Sequence, residues 1–132
     1  MTLFTLAEAE ALLPRLRDEL LAMQSCKRKI DELRVDLSHA AERATGNGHV
    51  QDEETLGAKR RSAEALVDEL NQRLTAINEL GVELKGIDEG LLDFPSEREG
   101  RTVYLCWRLG EDRIEWWHET EAGFAGRQPL ER

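Results

Sequence analysis

The sequence predicts an α+β protein: a long antiparallel, coiled-coil-like helical hairpin over residues 1–81, then a small tryptophan-rich antiparallel β-meander over residues 82–132, the two forming a single structural unit. Three observations predict it. Apolar residues recur in steps of three and four through the first eighty positions, the period of a helix that packs along a narrow seam. The stretch Thr45-Gly46-Asn47-Gly48-His49 interrupts that period with residues that reverse a chain cheaply. After Gly81 the composition changes, and six of the seven aromatic residues (Phe94, Tyr104, Trp107, Trp116, Trp117 and Phe124) follow it.

Thr5-Leu6-Ala7-Glu8 has the form of a capping box, and Phe4 precedes it as an apolar staple. From there Leu13, Leu16, Leu20, Met23, Ile30 and Leu37 form the seam of a first helix, with Lys27 interrupting it. Pro14 removes an amide donor inside this pattern, so a kink is expected after the first two turns. Leu56, Ala63, Val67, Leu70, Leu74 and Ile77 form the seam of a second helix, which Gly81 caps. The first helix covers roughly 40 residues, or about 60 Å at 1.5 Å per residue. Leu12, Leu21, Leu33 and Leu66 lie to the side as a second stripe, which points to homodimerisation through the hairpin.

In the last third, Arg101 to Leu109 has the β-branched and aromatic character of a strand, and Arg113 to His118 is the returning strand after a turn at Gly110-Glu111-Asp112. An earlier strand spans Glu83 to Phe94, broken near Gly86 or Gly90, with Pro95 and Gly100 bracketing a loop. Three or four strands are expected, closed by an irregular tail. Centring the turn on Glu111-Asp112 pairs Trp107 with Trp116 as buried neighbours and turns Trp117 to the more accessible face.

The chain carries 27 Asp+Glu against 18 Lys+Arg, a formal charge of −9. That balance weighs against nucleic acid and against anionic lipid, both of which need a basic surface. The basic runs Lys27-Arg28-Lys29 and Lys59-Arg60-Arg61 fall at different heights of the hairpin and do not merge. No apolar run is long enough for a membrane span, and the N-terminus has no signal-peptide pattern. Cys26 and Cys106 have no partner at redox or metal spacing, in keeping with reduced thiols and a cytoplasmic location. His39 and His49 read as surface residues.

The β-module gathers the chemistry: Asp93, Glu111, His118 and Arg127 are the candidate binding or metal-site residues, with Cys106, Trp107 and Trp117 as additional ones. His118 shares strand parity with Trp116 and Ile114, and Cys106 shares it with Tyr104 and Arg108. A histidine beside an apolar face needs a carboxylate such as Asp93 to orient it. Such a pair can serve as a general base or hold a divalent metal, with His118 and Asp93 as ligands; it can equally be a buried hydrogen bond that closes a small sheet. The tryptophans likewise can line a pocket or fill a core.

Several segments carry a likeness: Phe4-Thr5-Leu6, Ala11-Leu12-Leu13-Pro14, Gly90-Leu91-Leu92-Asp93-Phe94-Pro95, Leu105-Cys106-Trp107, Gly110-Glu111, Trp117-His118 and Gly123-Phe124-Ala125-Gly126-Arg127. On these residues the chain resembles an uncharacterised prokaryotic family, domain of unknown function 2203. The resemblance covers nearly the whole chain and supplies no catalytic residue. It is concentrated on the β-module, which weights Asp93, Glu111, His118 and Arg127 as functional.

The expectation is a cytosolic, non-catalytic binding protein, dimeric through the hairpin, with a ligand or partner site on the β-module. The alternative is a small metal-dependent or acid–base enzyme with His118 as base or ligand, oriented by Asp93 or Glu111, and Arg127 holding an anionic substrate.

Overall fold

The computed structural model describes residues 2–46 and 53–131, with the backbone alone at residues 43–46. The fold is α+β as expected: α1 (Leu6–Ala11), α2 (Leu13–Gly46) and α3 (Glu53–Glu79), followed by β1 (Glu83–Gly86), β2 (Leu91–Arg98), β3 (Arg101–Arg108), β4 (Trp116–Glu119) and β5 (Gln128–Pro129). A short 3-10 turn, Phe124–Gly126, precedes β5. The last part of the expected reversal, residues 47–49 with His49, lies outside the described residues.

The capping box forms: the amide of Glu8 donates to Thr5 Oγ1 at 3.1 Å, and that of Thr5 to Glu8 Oε1 at 2.9 Å. The bond from the Thr5 amide, with the Thr5 hydroxyl second, holds the Glu8 carboxyl below its ordinary range. The discontinuity expected near Pro14 falls at Leu12, so α1 is a separate short helix and Pro14 is the second residue of α2. There its missing amide costs no helical bond.

By its contacts the chain divides into two compact units, Ala22–Arg73 and Met1–Leu21 with Leu74–Arg132. In the first unit the helices run antiparallel: the Cys26 thiol donates to Glu69 Oε2 at 2.8 Å, and Lys59 lies 3.6 Å from Asp36. Cys26 is buried and Lys27 half-buried, so the seam runs Met23, Cys26, Ile30 instead of being interrupted at Lys27. Burial, followed by the Glu69 carboxylate, pushes the Cys26 thiol up.

In the second unit all five strands pair antiparallel in sequence order. The tail therefore supplies a fifth strand where the sequence predicts irregular chain. Pro95 also differs from its expected place in a loop, because it lies inside β2, paired with Tyr104. Its carbonyl accepts from the Phe4 amide at 2.7 Å, away from β3. A residue's amide and carbonyl leave a strand on the same side, so the missing donor falls on an edge beyond the last β1 pairing, Glu83 with Asp93. The β2–β3 hairpin closes tightly at Glu99-Gly100, both at positive φ (52° and 79°), the conformation of a two-residue turn. Gly90 ends the β1–β2 connection at φ 64°, where a Cβ would meet Leu109 at 2.4 Å; only glycine fits.

Alternation sorts the sheet into two faces. The inner face carries Leu92, Phe94, Val103, Leu105, Trp107 and Trp117, all buried together with Leu13, Leu16, Leu20, Ile77 and Val82. Phe4 meets Phe94 edge-on at 5.6 Å, and the Arg17 guanidinium lies over Trp107 at 5.5 Å. Trp107 is buried as expected, but the expectation for Trp116 and Trp117 is reversed. The pairs are Leu105 with Trp117 and Cys106 with Trp116, so Trp117 faces the core and Trp116 is only half-buried. The β3–β4 connection is longer than a two-residue turn at Glu111-Asp112 would be, and β4 starts three residues later than expected. In single-tryptophan variants, acrylamide should quench Trp116 more strongly than Trp117; the opposite order would contradict this register.

Candidate functional site

The outer face of the sheet has a small buried layer of its own. Pairing Asp93 on β2 with Cys106 on β3, and Tyr104 with His118 on β4, puts Asp93, Cys106 and His118 on that face as near neighbours. All three are buried, at 2% exposure for Asp93, none for Cys106 and 1% for His118. Their ligand atoms lie within 4.8 Å of one another.

His118 is fixed at both nitrogens. Nδ1 lies 2.7 Å from the Glu119 carbonyl, and Nε2 lies 3.0 Å from each Asp93 oxygen. Its ring is covered by Tyr104, with centroids 5.4 Å apart. Tyr104 is held in turn by a 2.7 Å hydrogen bond to Glu83 Oε2. Burial works to raise the Glu83 carboxyl, but hydrogen bonds from Tyr104 and Lys85 outweigh it and hold it below its ordinary range. Burial is also the main influence on Cys106. With the Asp93 carboxylate nearby it pushes the thiol up to about 12, against the pull of the Arg127 guanidinium. Cys106 is thus a neutral thiol at physiological pH, which is the opposite of an activated nucleophile.

The other expected site residues form a neighbouring cluster. Arg127 donates to Glu111 Oε1 at 2.7 Å and to the Cys106 carbonyl at 3.3 Å. Its guanidinium stacks over Trp116 at 5.2 Å and Phe124 at 4.6 Å, and its Nε is buried with no hydrogen-bond partner. Glu111 Oε1 also accepts from the Arg108 amide at 2.7 Å, while the Glu111 carbonyl accepts from Trp107 Nε1 at 3.0 Å.

The structure therefore brings Asp93, Cys106 and His118 together, with Arg127 reaching Cys106 from the tail. Asp93, and not Glu111, orients His118; Glu111 joins the tail to the β3–β4 connection. Trp107 and Trp117 lie on the inner face, in the core. Tyr104, Glu83 and Trp116 line the outer face and were missed as site residues. Strand parity signals Tyr104 through Cys106 and Trp116 through His118, whereas Glu83 joins them only through its register opposite Asp93.

The trio offers one thiol, one imidazole and one carboxylate, a donor set suited to a transition metal. No curated protein and no solved structure matches the chain. A family profile described as an uncharacterized conserved protein, DUF2203, matches residues 2–130, and the chain belongs to that family.

Proposed function

We propose that this protein is a cytoplasmic, non-catalytic binding protein that holds a small ligand on the outer sheet face, at Asp93, Cys106 and His118, and that pairs as a homodimer through its hairpin. The observation that carries the ligand site is the burial of three polar groups together where apolar residues would pack at no electrostatic cost. Their exposure of 2% or less supports holding a ligand over turning over a substrate. Native mass spectrometry of freshly purified protein tests this. An adduct that is lost in the His118→Gln variant is expected, and a bare chain mass in every preparation would contradict it.

The dimer reading rests on the hairpin unit. Ala63, Val67 and Leu70 of α3 are only half-buried, and Val35 of α2 is 52% exposed. A second copy would cover this apolar surface as a coiled-coil partner does. Light scattering should give about twice the 15.0 kDa chain mass across micromolar concentrations; the chain mass itself would contradict the dimer. A charge of −9 supports a role without nucleic acid. No described helix is long and apolar enough to cross a membrane.

A further inference from the structure

We propose that the ligand of the outer sheet face is a divalent transition metal of the zinc class, held by His118 Nε2, the Asp93 carboxylate and Cys106 Sγ; this deepens the binding reading and rests on it. The hydrogen bonds of His118 point to a cation beside Nε2. A carbonyl oxygen can only accept, so the 2.7 Å contact with Glu119 puts a hydrogen on Nδ1. Nε2 of a neutral ring then presents a lone pair. Yet it faces both Asp93 oxygens at 3.0 Å, and those also only accept when the carboxylate is ionised. Acceptor against acceptor in a buried site is repulsive unless something positive lies between them. A proton can do this, and so can a metal ion. A ring with Nδ1–H donating to a backbone carbonyl and Nε2 turned to a carboxylate and a thiol is the arrangement that fixes a metal-ligating histidine.

The three donors also fit such an ion. A tetrahedral ion with bonds of about 2.0–2.3 Å holds its donor atoms roughly 3.3–3.6 Å apart. Here Nε2 is 3.0 Å from the carboxylate oxygens, and all three donors lie within 4.8 Å. Changes in donor separation of a few tenths of an ångström, and of at most about 1.2 Å for the widest pair, bring them to 3.6 Å or less. Mixed sulfur, nitrogen and oxygen donors select zinc or cobalt(II) over calcium or magnesium, which take oxygen alone. Arg127 adds a further reason. Its buried Nε lacks an acceptor, and its Nη2 donates to the Cys106 carbonyl at 3.3 Å, which places the guanidinium beside this residue. A metal-bound thiolate supplies that acceptor. Charge balances as well: thiolate and carboxylate neutralise a dication, Glu111 already neutralises Arg127, and the protons displaced from Cys106 and from between His118 and Asp93 leave to solvent.

The test is titration of the metal-free full chain with zinc and cobalt(II), both on the folded protein and during refolding, because the trio is closed. One ion per chain is expected, and the cobalt form should show a thiolate charge-transfer band with intense visible bands. Cys106→Ser should abolish the charge-transfer band and weaken zinc binding by more than about 100-fold, beyond the loss of an outer-shell partner. His118→Gln serves as the second variant, with thermal melting to confirm that each variant folds. Folded protein that takes up neither ion by either route, or cobalt bound without a thiolate band, overturns the metal. If an adduct of another kind still disappears in His118→Gln, the binding reading survives and only the metal falls. With neither metal nor adduct, both fall.

Discussion

Asp93→Ala should destabilise the protein by about 1–3 kcal/mol, the usual cost of leaving a buried polar group without its hydrogen-bond partner. His118 is 1% exposed and Asp93 is its only side-chain hydrogen-bond partner among the described residues. Without the carboxylate, Nε2 would be sealed beneath Tyr104 with nothing opposite it. The Cys106 thiol beside it is held neutral and cannot replace a carboxylate. Asp93→Asn should cost less, because an amide can still donate to Nε2. Urea unfolding of metal-free protein measures both. A loss below about 1 kcal/mol for the alanine variant would mean that the pair contributes little to holding the sheet together.

Trp107→Ala is expected to cost more, about 3–5 kcal/mol, for a different reason. Trp107 has no exposed surface, sits on the inner face opposite Leu92, and donates Nε1–H to the Glu111 carbonyl at 3.0 Å. Its removal opens a cavity in the main core, strips Arg17 of its stacking partner and leaves the β3–β4 connection one bond short. Trp116→Ala removes a ring of the same size from a half-buried outer position and should cost clearly less. Domains have only about 5–15 kcal/mol in total, so the Trp107 loss brings that variant close to unfolding. Equal losses at Trp107 and Trp116 in urea unfolding would contradict the assignment of the two faces.

Local signals in the sequence were strong enough to specify the helices. The Thr5–Glu8 box and the three-and-four spacing are short-range features that tertiary packing did not override. One seam position was misread: Lys27 looked like an interruption because its neighbour Cys26 was counted as a thiol and not as a small apolar side chain. The sheet was harder to read because its register depends on turns. Reading Pro95 as a strand end hid the tight turn at Glu99-Gly100, and counting back from that turn is what sets Asp93 opposite Cys106. Assuming a two-residue turn at Glu111-Asp112 inverted the two faces of β4, since a slip of one residue moves every side chain to the other side. The Asp93–His118 contact was legible as residue chemistry. Cys106 as its neighbour, and Arg127 as the partner of Glu111, depended on pairings that no local pattern announces.

The metal proposed between Asp93, Cys106 and His118 can be seen directly. Anomalous diffraction at the zinc edge, from crystals of zinc-saturated protein, tests it. One anomalous peak is expected at bonding distance, about 2.0–2.3 Å, from His118 Nε2, Cys106 Sγ and an Asp93 oxygen. Such crystals with no peak there, and with Nε2 still 3.0 Å from the Asp93 carboxylate, would contradict it.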